Sequence, residues 1–211
     1  MYNVSSYKAK NEQEILDFIK EYPFVQITGV NEKGKPVATQ IPVIVEKRND
    51  DLYIVGHMMK ETDHCKAFQE NPNVLSVFTG PNGYVSASWC VSPNKGSTWN
   101  YMSVHAEGKV SFFEGEKLVS LMKTFTLLHE NGNENSPTIY DNLSDSYTNK
   151  WMPYITGFEI KVDCLDTVFK LSQSLDEQSY LNVIAELEKR GGRDSFLAME
   201  MQKRVSELFS E

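Results

Sequence analysis

The segment YMSVHAEGKVSFF, residues 101–113, places the strongest constraint on how this chain folds. Apolar residues recur at every second position through most of it, and Ser103, His105, Glu107 and Lys109 fall between them. A period of two is the periodicity of a β-strand with one buried face and one polar face. The pattern predicts a long strand and excludes an all-helical fold.

Further segments rich in β-branched and aromatic residues are bounded by turn residues. They are FVQITGV (24–30), VATQIPVIVE (37–46), LYIVGH (52–57), VLSVFTG (74–80), YVSAS (84–88) and YITGFEIKVDCLDTVFKL (154–171). The short connections between several of them predict antiparallel pairing. Six or seven antiparallel strands in a meander, with helices interposed and appended, indicate an α+β fold around a closed or nearly closed barrel.

Helical periodicity predicts five helices, at 11–22, 62–71, 116–129, 176–189 and 195–209. Asn11, followed by Glu14, is typical of a capping box at the start of the first helix. Thr62 is the expected N-cap of the second helix, and Ser174 with Glu177 is expected to cap the fourth.

Two polar segments separate the helices. Gly191 and Gly192 are expected to end the fourth helix. The turn-rich segment 130–148 predicts a mobile loop or lid.

Charge and cysteine content narrow the function classes. The 211 residues include 29 acidic and 21 basic side chains, for a formal charge of −8. That surplus repels phosphate backbones and argues against direct nucleic-acid binding. No apolar run is long enough to span a bilayer, and the N-terminus lacks the apolar core of a signal peptide. Three widely spaced cysteines predict reduced thiols and a cytoplasmic protein.

The common catalytic motifs are absent from the sequence. It contains no dinucleotide-binding glycine motif, no Walker loop, no nucleophile elbow and no His-Glu-x-x-His. A zinc site from His57, His64 and Cys65 would require a helix and a strand to aim all three side chains inward. We therefore predict no metal site and identify no catalytic residue.

The first chemically dense cluster is GHMMKETDHCK, residues 56–66. It places Lys60, Thr62, His64 and Lys66 where a strand ends and a helix begins. Free N–H groups at a helix N-terminus, with added cations and hydroxyls, suit a phosphate group. The alternative is an ordinary capped helix whose lysines lie in water.

The second cluster joins GPNGYVSASWC (80–90) to STWNYMSVH (97–105). Aromatic side chains with polar tips suit a flat heteroaromatic ligand, which they can stack on and hydrogen-bond. The alternative is a barrel core with a hairpin turn. His105 is better explained as a surface histidine than as a catalytic acid, because no paired carboxylate or nucleophile accompanies it. Lys170 and Gln173 are either a solvated strand end or contacts to an anionic ligand.

At these residues the chain resembles a known family. GPNGYVSASW, STWNYMSVHAEGKV, YITGFEI and FKLSQ, in this order and spacing, are similar to the PaiB-like branch of the flavin-binding split-barrel proteins. That branch is related to the pyridoxamine 5′-phosphate oxidases. The likeness runs from about residue 12 to about residue 188, and four motifs in register make it specific.

The resemblance implies a six-stranded antiparallel split β-barrel with peripheral and C-terminal helices. It implies a barrel domain over 1–172 and a helical extension over 173–211 that packs on the barrel. It also implies a homodimer with FMN in a groove between the subunits. The implied FMN-binding residues are Thr39, Gln40, Pro42, His57, Lys60, Thr62, His64, Lys66, Tyr84, Ser86, Ser88, Trp99, Asn100, Tyr101, Lys170 and Gln173.

The roles implied for these residues differ. Lys60, Thr62, His64 and Lys66 would hold the phosphate, whereas the residues from Thr39 to Pro42 would line the isoalloxazine. The residues between 84 and 101 would supply polar edges and aromatic walls, and Lys170 and Gln173 would approach from the last long strand.

The chain departs from the family pattern in three places. Asn82 stands where the branch usually has His, and Cys90 stands where Tyr is common. The substrate-binding Arg and His pair of the true oxidases has no counterpart in LSQSLDEQSYL. The last difference argues against oxidation of vitamin B6.

Three functions remain open at this point. The first is an FMN-dependent oxidoreductase that acts on a small molecule and takes electrons from a nicotinamide or another donor. The second is a flavin-binding regulatory or sensor module without turnover. The third, suggested by related haem-handling split barrels, is haem binding with His57, His64 or His105 as the ligand.

Overall fold

The computed structural model describes residues 1–92 and 96–210. Its strands are β1 (Phe24–Val30), β2 (Pro36–Pro42), β3 (Ile44–Arg48), β4 (Asp51–Met59), β5 (Asn73–Val85), β6 (Thr98–Phe113) and β7 (Ile155–Lys170). Its α-helices are α1 (Glu12–Glu21), α2 (Asp63–Glu70), α3 (Gly115–His129), α4 (Asp145–Trp151), α5 (Glu177–Arg190), α6 (Arg193–Gln202) and α7 (Val205–Phe209). Short 3-10 turns lie at Ser5–Tyr7, Ala87–Trp89, Tyr140–Asn142 and Met152–Tyr154.

The architecture is α+β with an antiparallel sheet, as predicted, but the strand number is different. The described residues form one seven-stranded sheet in the order β2-β1-β5-β6-β7-β4-β3. The expectation of six strands was therefore wrong.

The difference arises partly where the expected strand 37–46 divides at Val43. The backbone N–H of Val43 donates to the carbonyl of Pro23 at 3.0 Å, and its side chain is buried. Strand β2 pairs with β1, whereas β3 pairs with β4. Only Val43 separates β2 from β3 along the chain, although these two strands stand at opposite ends of the strand order.

A second difference concerns the expected strands 74–80 and 84–88, because the single strand β5 runs from the first of them through Gly80 to Val85. The rest of the second expected strand includes the 3-10 turn Ala87–Trp89. A Cβ at Gly80 would lie 2.6 Å from the ring of Phe18. The glycine therefore makes room for an aromatic ring that packs across the strand.

The chain groups into two compact units. One contains residues 1–18, 79–104 and 166–211, and the other contains residues 19–78 and 105–165. The core of the first unit includes the fully buried side chains of Phe169, Leu171, Tyr180, Leu187 and Leu197. The boundary expected between residues 172 and 173 stays a prediction.

The core of the second unit lies on the sheet and under α3. Ile54, Phe158 and Ile160 are fully buried, and Val55 packs against Leu121 and Phe125 of α3. Buried Ala106 and Val110 of β6 also confirm the predicted alternation.

Strands β6 and β7 approach closely at two glycines of this unit. A Cβ at Gly108 would lie 2.2 Å from the carbonyl oxygen of Lys161. A Cβ at Gly157 would lie 2.2 Å from the ring of Phe113. Each strand therefore contributes one glycine that accommodates the other strand.

Two of the three predicted helix caps are confirmed. The N–H of Glu14 donates to Asn11 Oδ1 at 2.9 Å, and Thr62 accepts from Cys65 at 3.3 Å. The third was wrong, because Asp176 rather than Ser174 caps α5.

The expected helix 195–209 is also wrong in one respect, because it is interrupted between α6 and α7. The guanidinium of Arg204, at this interruption, donates to Glu14 at 2.6 Å. Gly191 and Gly192 separate α5 from α6 with φ angles of 68° and 60°, as predicted.

The segment 130–148, which we predicted to be a mobile loop or lid, is joined by hydrogen bonds within itself. The carboxylate of Glu130 accepts hydrogen bonds from Ser136 Oγ at 2.8 Å and from Thr138 Oγ1 at 2.9 Å. These bonds, first that from Ser136, lower the pKa of Glu130. Ile139 of the same segment is buried. The polar side chains of this segment therefore close a turn through hydrogen bonds with one another.

Candidate functional site

Four of the predicted site residues line one cavity of the second unit. Thr39 of β2, His57 of β4, and Thr62 and His64 at the start of α2 surround a volume of about 290 Å³. We call this space the β2–β4 cavity. Its remaining walls are Ile41, Met58, Met59 and Ile155. It therefore combines an apolar wall with polar groups at a helix N-terminus.

The two other residues predicted on β2 differ from Thr39. Side chains alternate between the faces of a strand, so Thr39 and Ile41 share the face that lines the cavity. Gln40 is on the opposite face, and Pro42 is not among the lining residues.

Thr62 and His64 form a hydrogen-bonded pair at the N-terminus of α2. The hydroxyl of Thr62 donates to the carbonyl of Met59 at 2.8 Å and accepts from the N–H of Cys65 at 3.3 Å. Its single proton is thus used, so His64 Nε2, 3.1 Å away, must carry the hydrogen of their contact. The other ring nitrogen, Nδ1, is 3.4 Å from the carboxylate of Asp63.

The two predicted lysines each have a counter-charge in the chain. Lys60 Nζ lies 2.7 Å from Glu114, and Lys66 Nζ lies 2.7 Å from Glu61. The hydrogen bond with Glu61 raises the pKa of Lys66. Lys60 lines a neighbouring cavity of about 280 Å³ together with Glu114 and Tyr140. The structure therefore does not bring the Lys60 ammonium into the β2–β4 cavity.

His57, in the β2–β4 cavity, has a pKa that departs from its ordinary value. Burial, followed by the nearby imidazole of His129, lowers the pKa of His57. Its Nδ1 atom is buried and has no hydrogen-bond partner among the described residues. The ring of Phe125 packs edge-on against it at 5.3 Å. The cavity thus contains a histidine that is held neutral and has an unused ring nitrogen.

The second predicted cluster lies in the first unit and includes exposed aromatic rings. Tyr84 is 39% exposed and Trp99 is 57% exposed, with ring centroids 6.4 Å apart in an edge-on contact. Ser86 and Ser88 hydrogen-bond each other through their hydroxyls at 2.8 Å. The ammonium of Lys170 donates to the carbonyl of Trp99 at 3.0 Å and to Thr98 Oγ1. Burial lowers the pKa of Lys170.

Two residues predicted to contact the cofactor instead make internal hydrogen bonds. Asn100 is fully buried, accepts from Ser172 Oγ at 3.0 Å and donates to the sulfur of Met201. Gln173 donates to the carbonyl of Ser6 at 3.0 Å. Both side chains therefore stabilise the first unit.

Tyr101, in the same unit, is half-buried. Burial, followed by nearby Tyr2 and Tyr7, raises its pKa.

Metal and haem ligation were the remaining alternatives. Within residues 1–92 and 96–210, no group of three or more His, Cys, Asp and Glu is arranged to hold a metal ion. His57 and His64 line the β2–β4 cavity, whereas His105 lies on β6 and does not line it.

In the described part of the chain, every helix is too short or too polar to cross a bilayer.

The sequence did not indicate every residue of the candidate site, and some of those it missed are neighbours of residues it did indicate. Ile41 belongs to the period-two pattern that includes Thr39, so its place on the cavity could have been inferred from that pattern. Glu114, the partner of Lys60, is far away in sequence and carried no signal.

Comparison with known proteins decides the family. A family model described as "Putative FMN-binding domain" matches residues 1–164. The chain belongs to this family. Its cofactor is FMN, and the PaiB-like resemblance is confirmed.

Members of this FMN-binding family and proteins of the same fold are similar over most of the chain. The protease synthase and sporulation protein PAI 2 of Bacillus subtilis is 35% identical over 188 residues, which are 89% of each chain. A conserved hypothetical protein of Mycobacterium tuberculosis has a TM-score of 0.54 at 12% identity, covering 80% of this chain and 90% of its own. A FAD and heme binding protein of Mycobacterium smegmatis has a TM-score of 0.53 at 17% identity, covering 78% and 73%. The two structures show a shared fold.

The donor chemistry of the β2–β4 cavity fits FMN. The N-terminus of α2, capped by Thr62, offers the positive end of a helix dipole, which is suited to a phosphate. The unpartnered Nδ1 of His57 provides a buried polar atom, and Ile41 and Met58 provide apolar contact area for a ring.

Proposed function

We propose that the protein is a homodimeric FMN-dependent oxidoreductase that acts on a small molecule. The observation that carries this proposal is the β2–β4 cavity, where a helix N-terminus adjoins apolar side chains and the neutral His57. When bound, FMN supplies the electron and hydride chemistry. The residues of the chain bind it, orient it and exclude water.

Each part of the cavity has its own task in this proposal. The positive end of the α2 dipole attracts the phosphate, and the imidazole N–H of His64 turns from Thr62 to donate to it, while Thr62 keeps the helix start in place. Lys60 adds its charge when it leaves Glu114, and Lys66 adds its charge when it leaves Glu61. Ile41 contacts the ring and keeps water from it.

The homodimer and the split-barrel form of the curled sheet are parts of the same proposal. The exposed rings of Tyr84 and Trp99 are available to a ligand or a second subunit, and Lys170 lies beside them. In the proposed dimer, a second subunit covers FMN bound in the β2–β4 cavity.

A cytoplasmic location is proposed with this function. Cys65, Cys90 and Cys164 are free thiols in the structure. Free thiols persist in a reducing compartment.

A flavin-binding regulatory module without turnover is the second candidate. Two observations favour it. The name of the Bacillus subtilis relative refers to protease synthesis and sporulation rather than to a reaction. The walls of the β2–β4 cavity also contain no carboxylate that could act as a general acid or base.

Three measurements on the purified protein test the proposal. Flavin absorption bands, with riboflavin and FAD as comparison ligands, test the cofactor, and a Soret band would indicate haem instead. Anaerobic stopped-flow mixing with NADH or NADPH then tests electron transfer. Bleaching of the flavin supports the oxidoreductase, and absence of bleaching with common donors supports the regulatory module. Light scattering after size exclusion tests the homodimer.

A further inference from the structure

A second site for a small molecule lies on the second unit, outside the flavin cavity. A cleft of about 520 Å³ opens between the end of α1, the β2–β3 junction and the end of α3. We call it the α1–α3 cleft. Its volume is within the range of about 300–1,000 Å³ that is typical of small-molecule sites.

The walls of the α1–α3 cleft are predominantly apolar. Its apolar lining residues are Ile19, Pro23, Val43, Ile44, Val45 and Leu128. Ile19 and Val43 are almost completely buried and form a fixed floor, whereas Leu128 is 57% exposed at the rim. An exposed leucine beside a fixed apolar floor offers contact area to a ligand without requiring the core to move.

The polar lining residues of the cleft carry positive charge or none. They are Lys20, His129 and Asn131, and no carboxylate lines the cleft although the whole chain has a formal charge of −8. Lys20 has no ion-pair partner within the described residues. His129 Nδ1 donates to the carbonyl of Phe125 at 2.9 Å, so Nε2 is the ring nitrogen that remains for a ligand.

The α1–α3 cleft is distinct from the β2–β4 cavity but close to it. The ring of Phe125 stacks on His129 at 4.4 Å and meets His57 at 5.3 Å. His129 lines the cleft and His57 lines the cavity. Three adjacent rings therefore separate the two spaces.

We propose that the α1–α3 cleft binds a small soluble amphiphile with an apolar body and one carboxylate group. Ile19, Val43 and Leu128 contact the apolar body. Lys20 faces its single negative charge, which His129 meets through Nε2 when the ring is an imidazolium. A cationic amphiphile of the same length lacks this complementarity.

The test is displacement of the fluorescent apolar anion 8-anilinonaphthalene-1-sulfonate from the full-length protein. Decanoate, decanol and decyltrimethylammonium share an apolar chain and differ in charge. We expect decanoate to displace the probe at a concentration at least about fivefold lower than either of the others. Equal displacement by all three would overturn the proposal, because it would indicate apolar contact without charge recognition.

Matched variants locate the site. Lys20→Gln is expected to weaken decanoate at least about threefold and to leave decanol unchanged, whereas Lys33→Gln, an exposed lysine of the β1–β2 turn, is expected to change neither. Leu128→Asp is expected to weaken decanoate at least about tenfold, and Val91→Asp, at an equally exposed apolar position, is expected to have no effect.

The result does not depend on flavin binding. Unchanged decanoate affinity in both Lys20→Gln and Leu128→Asp, with unfolding transitions like those of the unaltered protein, would overturn the proposal. If the unaltered protein binds decanoate but not FMN, the result would count against the proposed flavin site alone.

Discussion

The ammonium of Lys60 lies 2.7 Å from the carboxylate of Glu114. A lysine that we assigned to the FMN phosphate thus already has a counter-charge within its own chain. Binding a phosphate there replaces one ion pair with another, so the glutamate competes with the cofactor.

Replacing Glu114 with Gln should therefore tighten FMN binding. A partly exposed ion pair contributes up to about 1 kcal/mol, which corresponds to an increase in affinity of up to about fivefold. Flavin-fluorescence titration measures this change, and riboflavin, which lacks the phosphate, should bind as before.

The neighbouring Glu116→Gln is the matched control, because it removes a charge from the same helix turn without touching Lys60. An equal gain for Glu116→Gln, or an equal gain for riboflavin, would show that the ion pair with Lys60 is not what limits FMN binding.

Thr62→Ala should destabilise the protein without FMN by about 1 kcal/mol, because the helix α2 loses its N-cap. Thr62→Ser keeps the hydroxyl and should retain most of the stability. Urea unfolding monitored by circular dichroism measures the difference. Identical midpoints for the Ala and Ser variants would mean that the cap is not significant.

His57 should make folding less favourable in acid. Burial, then the charge of His129, lowers the pKa of His57 below its ordinary value of 6.5 in the folded state. The unfolded state therefore binds more protons than the folded state as the pH falls below 6.5. The stability that neutral His57 allows is complete above pH 6.5 and is lost as the pH falls through the folded-state pKa.

The variant His57→Phe, which keeps an aromatic ring beside Phe125, should lose less stability than the unaltered protein between about pH 7 and pH 5. Thermal unfolding across this range measures the two slopes. Above about pH 7 the slopes should be parallel, and parallel slopes in acid as well would contradict the argument.

Removing the buried charge of Arg204 should lower the free energy of unfolding strongly. It is 9% exposed and pairs with Glu14 at 2.6 Å and Glu200 at 3.3 Å. Arg204→Met leaves Glu14 without this ion pair and Glu200 with Lys203 alone, and it should destabilise the protein by about 3 kcal/mol. Urea unfolding tests this, with Arg193→Met, an exposed arginine, as the control. A difference below about 1 kcal/mol between the variants would contradict it.

Local rules predicted the features that depend on neighbouring residues. The caps at Asn11 and Thr62 follow from hydrogen bonds within one helix turn, and the burial of Ala106 and Val110 follows from the period of a strand. The family followed from four motifs in register. Such features require no knowledge of distant contacts.

Features that depend on distant contacts were missed. The division at Val43 depends on its bond to Pro23, and the ion pair of Lys60 depends on a residue of another element. The resemblance assigned Asn100 to the cofactor, and its hydrogen bond from Ser172 carried no signal in the sequence. Sequence composition identifies a polar group without indicating which partner it will meet.

The paired glycines of β6 and β7 limit how this sheet can change. Gly108 faces a backbone carbonyl that cannot rotate away, whereas Gly157 faces the far end of the Phe113 ring, which can shift more easily than backbone. Even alanine at position 108 would push the strands apart. The disturbance would travel along the ladder, since hydrogen bonds weaken steeply with misalignment. A saturation library of these strands should therefore recover position 108 almost exclusively as the original residue.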